Sequence, residues 1–303
     1  MVNAFGSDLE VFDCVKAVRF GNHCVQIGTY AFSACTRLRY VTIPTTITTY
    51  GTYAYRACNS FRGVVIPSGT TATSQYMFYI NHGVQYIAIP KSLVTYANYT
   101  FAYCTSLKRL SFPATVSSFG TYLVQYCESL EICNWPTSGV KTVNNYMFRG
   151  CHSMKKLVLI SHSHITKINT YGFYDCRLLE ELDTSSVATY GASDMTYCTS
   201  LRRHVIKSGV TAITTSHCQY NYLLNYLTIP DTVTSIGKNA FASCVNLKEV
   251  HVQRTTPPTL ADTTPFPTNA TIYVPKSEGG TVLAAYKADS NWATYEAKLQ
   301  EEP

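Results

Sequence analysis

Cysteine recurs in this chain at a nearly fixed interval, and that period limits the possible folds more than any other feature. The column reads Cys35, Cys58, Asn81, Cys104, Cys127, Cys151, Cys176, Cys198, Asn221 and Cys244, at spacings of 23, 23, 23, 23, 24, 25, 22, 23 and 23 residues. Three residues before each marker stand Phe32, Tyr55, Phe78, Phe101, Val124, Phe148, Phe173, Met195, Cys218 and Phe241, all of them apolar. The position three residues after the marker is likewise apolar, from Leu38 to Leu247. A period of this length is the signature of a stacked-repeat architecture.

Within one period the steps differ in kind. The spacing of Phe32, Cys35 and Leu38 suits a tight helical turn or a series of bends, whereas Val41 and Ile43 alternate with polar neighbours as a short half-buried strand does. Such a unit cannot bury its own apolar side, so successive turns must stack and cover one another. Leu9, Phe12, Val15, Val18, Phe20 and Ile27 fall where a preceding, cysteine-free turn would put them. The expectation is an α/β-type repeat solenoid of about eleven turns. Its short parallel strands, about 4.8 Å apart, would build a sheet on the order of 50 Å long.

The stretch LTIPDTVTSIGKNAFASCVNLKEVHV, residues 227–252, resembles the BspA-like (Treponema-type) leucine-rich repeat, and residues 28–51 match almost as closely. The resemblance runs over residues 9–252. The prolines at Pro44, Pro67, Pro90, Pro113, Pro136 and Pro230 are absent from the turns around Ile160 and Ser185, and Lys207 replaces one. Three segments follow: an atypical repeat over 1–27, the leucine-rich repeat array over 28–252, and a C-terminal cap over 253–303. In the cap, Ile272, Tyr273 and Val274 read as a strand, and Leu283, Tyr286, Trp292, Tyr295 and Leu299 fall at helix-like spacings. A cap is needed because a bare terminal repeat leaves an unpaired edge and an open core. Trp292 reads as its core anchor.

Twelve cysteines would suit disulfides in an oxidising compartment. In stacked turns, however, their Cβ vectors run side by side into the core, which is poor bridging geometry. The column therefore reads as buried thiols. Asparagine at two of its positions suggests a side chain that donates to loop backbone, weakly as a thiol and well as an amide. Cys14, Cys24 and Cys133 lie off the column.

Function depends on the columns that face water. The residue before each strand reads Lys16, Arg39, Arg62, Gln85, Lys108, Glu131, Lys155, Glu180, Arg202, Asn225 and Lys248, and the next column adds Tyr40, Tyr86, Arg109, Lys156, Arg203 and Tyr226. Both columns are expected to line the concave sheet face. A basic row interleaved with tyrosine raises the local potential for an acidic partner. With a net charge of only +6, and Glu131, Glu180, Glu181 and Asp183 breaking the row, a nucleic-acid backbone is the poorest fit among such partners. A further column holds tyrosine in seven successive turns, Tyr30, Tyr53, Tyr76, Tyr99, Tyr122, Tyr146 and Tyr171, before Ser193, Ser216 and Asn239 replace it. Those rings, Tyr53, Tyr76, Tyr99 and Tyr122 in particular, read either as a platform for sugar or protein or as a ladder sealing the seam between turns.

Signals of catalysis are poor. The sequence holds no G-x-S-x-G, H-E-x-x-H, C-x-x-C or phosphate-binding glycine loop. His162 and His164 lack a third ligand for a metal, and Glu180, Glu181 and Asp183 crowd one strand rather than flank a substrate. No cofactor, metal or active site is expected. The chain also lacks a run of eighteen apolar residues, and MVNAFGSDLEVFDC has neither the basic nor the apolar region of a secretory signal. The resemblance implies a bacterial protein of the cell surface, or secreted, that adheres to host matrix, to other bacteria or to glycans. The leading expectation is a monomeric, non-catalytic adhesion module that binds protein. Carbohydrate binding in a polysaccharide-handling assembly, carried by the tyrosines, and a structural spacer are the alternatives.

Overall fold

The computed structural model describes residues 15–21, 23–137, 139–159 and 165–303. Leu9, Phe12, Cys14, Ile160, His162 and His164 lie outside these. The chain falls into two compact units, Met1–Ser163 and His164–Pro303. The division lies inside the 25-residue period between Cys151 and Cys176, the longest of the array.

The first unit is a parallel β-solenoid. Ala17–Arg19 pairs with Tyr40–Thr42, and Gly63–Val65 with Tyr86–Ala88, while Arg109–Ser111, Ile132–Trp135 and Lys156–Leu159 form one sheet. Val18 lies opposite Val41, Val64 opposite Ile87, and Cys133 opposite both Leu110 and Leu157. Every pairing thus advances by one period, which stacks like upon like. Strand pleating then sorts the faces: Leu110 is buried between exposed Arg109 and Ser111. Two-residue strands such as Thr95–Tyr96 and Ser118–Phe119 form a second parallel edge.

Bends, with no helix among the described residues of this unit, close each turn. Tyr30 and Ala34 adopt left-handed backbone at φ 56° and 60°, and the pair recurs at Tyr53 and Ala57, Tyr76 and Ile80, Tyr99 and Tyr103, and Tyr122 and Tyr126. An L-residue there costs about 1–2 kcal/mol. The geometry is held by a backbone ladder to the next turn, in which the amides of Tyr53, Tyr55 and Ala57 donate to the carbonyls of Gln75, Met77 and Tyr79 at 3.2, 3.0 and 2.9 Å. Alternate amides bond back within their own turn, as Arg56 does to the Tyr53 carbonyl at 3.2 Å.

In the second unit Arg203–Val205, Tyr226–Ile229, Glu249–Val252, Thr271–Val274 and Leu299–Glu301 form a five-stranded parallel sheet. The ladder therefore continues past Val252, where the sequence pattern of the repeat ends. Leu299 also departs from its helical expectation: it opens the last strand, buried opposite Ile272, so burial continues the strand alternation rather than the helical one. Between these strands lie the helix Thr281–Ala288 and the 3-10 segments Glu278–Gly280 and Ala293–Lys298. Tyr286 and Tyr295 on them, and Trp292 just before the last, are fully buried in the core. Among the described residues no helix is long and apolar enough to cross a membrane.

The cysteine column reaches the interior of both units. Sulfurs of Cys58, Cys104 and Cys127 donate to the carbonyls of Phe32, Phe78 and Phe101 at 3.0, 3.4 and 3.2 Å, and the Asn81 amide takes the same role toward Tyr55 at 2.8 Å. Asn221 departs from its column. Both of its side-chain polar atoms are buried without a partner, in a turn where His217 stands in the column of Ala31, Ala54 and Ala240, and Cys218 in one that most turns fill with a larger apolar side chain. Burial pushes the Cys35 thiol up to about 11 and that of Cys104 to about 12. Because the thiolate is the nucleophile, a thiol-disulfide reagent at neutral pH should label Cys24, which is part-exposed, and leave all ten buried sulfurs of the described residues unmodified until denaturant is added. Rapid labelling of several column cysteines in the native chain would contradict their placement.

Candidate functional site

The outward face of the long strands gathers the basic columns. In the first unit Arg39, Arg62, Lys108, Arg109, Lys155 and Lys156 are all exposed. Among the described residues no carboxylate forms an ion pair with any of the six. Their field is left to solvent and to whatever docks there. Tyr40 is 73% exposed and Tyr86 58%, and Val65 adds apolar area between them. Gly63 shapes this face, since a Cβ at that position would stand 1.9 Å from Cζ of Tyr86. The glycine lets the Tyr86 ring lie against the neighbouring strand.

The turn face is different. Rings of Tyr30, Tyr53, Tyr76, Tyr99, Tyr122 and Tyr146 stack one upon the next with centroids 4.8, 4.5, 4.6, 4.3 and 4.5 Å apart. Interplanar angles within that row stay between 7° and 15°. Each inner ring has a neighbour on both faces, so Tyr53, Tyr76, Tyr99 and Tyr122 offer solvent their edges and hydroxyls. Packing against a sugar needs an open ring face. Tyr79 meets Tyr76 and Tyr99 of the row edge-on and Tyr103 in turn meets Tyr79, while the Arg149 guanidinium lies 5.3 Å from the Tyr126 centroid and 5.6 Å from that of Tyr146. Desolvation, followed by the neighbouring tyrosines, raises the hydroxyl pKa of Tyr76 and Tyr99.

In the second unit Arg202 and Arg203 are exposed on the strand face, together with Tyr226 and Lys248. Both arginines border an open depression of about 500 Å³ whose other lining includes Glu180, Glu181 and Asp183. The three acids thus share one surface with two guanidiniums, and this part of the face carries both signs of charge.

Sequence reasoning missed one constellation altogether. Asp194, His204 and His217 are buried in the second unit, joined by Asp194 Oδ1 to His217 Nδ1 at 2.7 Å and His217 Nε2 to His204 Nε2 at 2.8 Å. The signal was present in the columns. His204 occupies an inward strand position filled by Val41, Val64, Ile87, Leu110 and Leu227 in other turns, and His217 one filled by Ala31, Ala54 and Ala240. An acid, two imidazoles and the Thr184 hydroxyl make a hydrogen-bonded relay, but their burial keeps it from any substrate in solution.

The family profile described as BspA type Leucine rich repeat region (6 copies) matches residues 11–131 and 125–248. No curated protein matches the sequence. Among solved structures, a leucine-rich repeat protein from Eubacterium ventriosum is 20% identical, with 83% of this chain and 75% of that one covered at a TM-score of 0.51. A second, from Bacteroides ovatus, is 24% identical over 77% of this chain and 71% of that one, at a TM-score of 0.48. A third, the leucine-rich repeat protein of T. pallidum, is 22% identical over 61% and 78%, at 0.49.

Proposed function

The chain belongs to the BspA type leucine-rich repeat family, and from that premise we propose that it is a non-catalytic adhesion module whose strand face binds an acidic protein partner. The reading rests on the strand face of the first unit, where six exposed cations, free of ion pairs among the described residues, share a face with the exposed Tyr40 and Tyr86. Flat protein interfaces take their energy from a few aromatic and arginine anchors, with charge complementarity setting approach and orientation. Arg39, Tyr40, Arg62, Tyr86, Lys108, Arg109, Lys155 and Lys156 supply both kinds of group, and Arg202 with Arg203 extend the set in the second unit. The setting proposed is the outside of a bacterial cell, as a monomer, with a matrix or surface protein as the partner. The stacked tyrosines serve as a seam between turns.

The test is a binding assay against immobilised extracellular-matrix and bacterial surface proteins. The combined variant Arg39→Glu, Arg62→Glu, Lys108→Glu should bind at least tenfold more weakly than the parent, and the parent's own binding should weaken as salt screens the face. Tyr76→Ala with Tyr99→Ala should leave protein binding unchanged. Equal binding by the charge-reversed and parent chains would remove the strand face as the site. Binding to glycans that only the tyrosine variant loses would favour the carbohydrate reading, and no binding in either assay would favour a spacer.

A further inference from the structure

The buried relay of the second unit has donor atoms that the repeat does not need. We infer that His204 Nε2, His217 Nε2 and Cys218 Sγ form an internal site for one zinc-class divalent metal ion, with Asp194 and Thr184 holding the two imidazoles in orientation. The three ligand atoms lie within 4.8 Å of one another, and all three residues are buried. Two imidazoles and a thiolate form a donor set that suits Zn²⁺ among the common divalent ions.

The hydrogen bonds define two states of the relay, one of which a metal ion can enter. The Thr184 hydroxyl donates to the Val205 carbonyl at 2.8 Å, so toward His204 Nδ1, 3.4 Å away, its oxygen can only accept. That leaves the Nδ1–H on His204 and a lone pair on its Nε2. An ionised Asp194 would accept from His217 Nδ1–H at 2.7 Å and leave a lone pair on His217 Nε2 as well, whereas the neutral carboxyl, which burial favours, donates to Nδ1 and leaves the proton on Nε2. In the ionised form two lone pairs face each other across 2.8 Å, and in the neutral form His217 Nε2–H donates to His204 Nε2 over the same distance. A metal ion bound to both nitrogens requires the ionised form and stands where the neutral relay keeps a proton. Tetrahedral coordination with Zn–N bonds of about 2.0–2.1 Å needs a nitrogen separation of about 3.3 Å, which a shift of each ring by about 0.3 Å provides.

The surroundings supply what a bound metal needs. Metal-bound histidine almost always donates its other ring N–H to a carboxylate, carbonyl or water, and here each outer nitrogen already has an oxygen partner. Zn²⁺ with one thiolate and the Asp194 carboxylate is neutral as a set, which matters where an uncompensated buried charge is costly. Asp194 Oδ2 and both polar atoms of Asn221 are buried without partners. Asn221 lies three residues after Cys218 in the same turn, its backbone N–H donating to the Cys218 carbonyl at 3.3 Å. One tetrahedral position remains for water or for the Asn221 amide oxygen. Full burial means that the ion enters as the unit folds.

The test uses the full chain refolded with and without Zn²⁺, then dialysed against metal-free buffer. Elemental analysis should find one zinc per chain, and substitution by Co²⁺ should give the absorption of a tetrahedral site with a thiolate-to-cobalt charge-transfer band. Cys218→Ser keeps the relay and should lose that band together with most of the zinc. Asp194→Asn should weaken zinc binding by about 10–100-fold. His204→Leu with His217→Ala, which restore residues the same columns carry in other turns, should fold without zinc. Less than a tenth of an equivalent of zinc in the refolded parent would overturn the site and leave a proton-sharing relay. Zinc retained by both Cys218→Ser and the double histidine variant would place the ion elsewhere and overturn it equally.

Discussion

Truncating Phe101 to alanine should lower the stability of the unit Met1–Ser163 by about 3–5 kcal/mol, the range for removing a buried phenylalanine ring. Phe101 is fully buried, its ring 5.9 Å from that of Phe78 in a file that continues through Tyr55 to Phe32 at 5.4 and 5.3 Å. Next in the column stands Val124, a smaller side chain, so the cavity has one side able to relax. Backbone bonds to Phe101 survive the change, namely its amide to the Leu123 carbonyl and the Cys127 sulfur to its own carbonyl. The loss is therefore one of packing. Because each turn contacts only its neighbours, a weakened turn can also divide the unfolding of the array. Urea denaturation followed by circular dichroism should show a lower midpoint and a broader transition. A shift below about 1 kcal/mol, the scale of a surface substitution, would mean that the column faces solvent.

The interior was legible because its columns repeat. Phe32, Cys35, Leu38 and Val41 recur with the same chemistry, and a period is visible wherever the same packing is solved again. Departures were harder to see. Left-handed backbone at Tyr30 and at its counterparts was hidden because tyrosine does not advertise positive φ as glycine does. The continuation of the ladder through Thr271–Val274 to Leu299 was hidden because its last step, from Ile272 to Leu299, spans 27 residues rather than 23 and includes a helix. Strand-face cations could be read from sequence, since alternation alone sends Arg109 outward and Leu110 inward. The relay could not be read in the same way. Asp194 and His217 share one column in successive turns, but His204 belongs to another, and the three meet only when the register of adjacent turns is known.

The end of the second unit should be as sensitive as the middle of the first, for a different reason. Trp292 is fully buried, its ring 5.0 Å from Tyr286, 6.1 Å from Phe266 and 6.3 Å from Tyr295, and its indole N–H donates to the Pro258 carbonyl at 2.9 Å. Tyr286 and Tyr295 bond to the carbonyls of Arg254 and Phe266 at 2.8 and 2.9 Å, so three aromatic side chains fasten the segment to the backbone of the turn before it. Trp292→Ala removes the central ring and should cost about 3–5 kcal/mol. Trp292→Phe keeps most of the apolar volume while leaving the Pro258 carbonyl without its donor, and should cost about 1–3 kcal/mol. The difference between the two variants measures packing apart from the hydrogen bond. It also separates a cap from a merely attached segment. If the ring closes the core, the alanine variant alone should admit a hydrophobic dye and melt early. Equal losses in both variants would assign the whole effect to one hydrogen bond and leave the core closed by something other than Trp292.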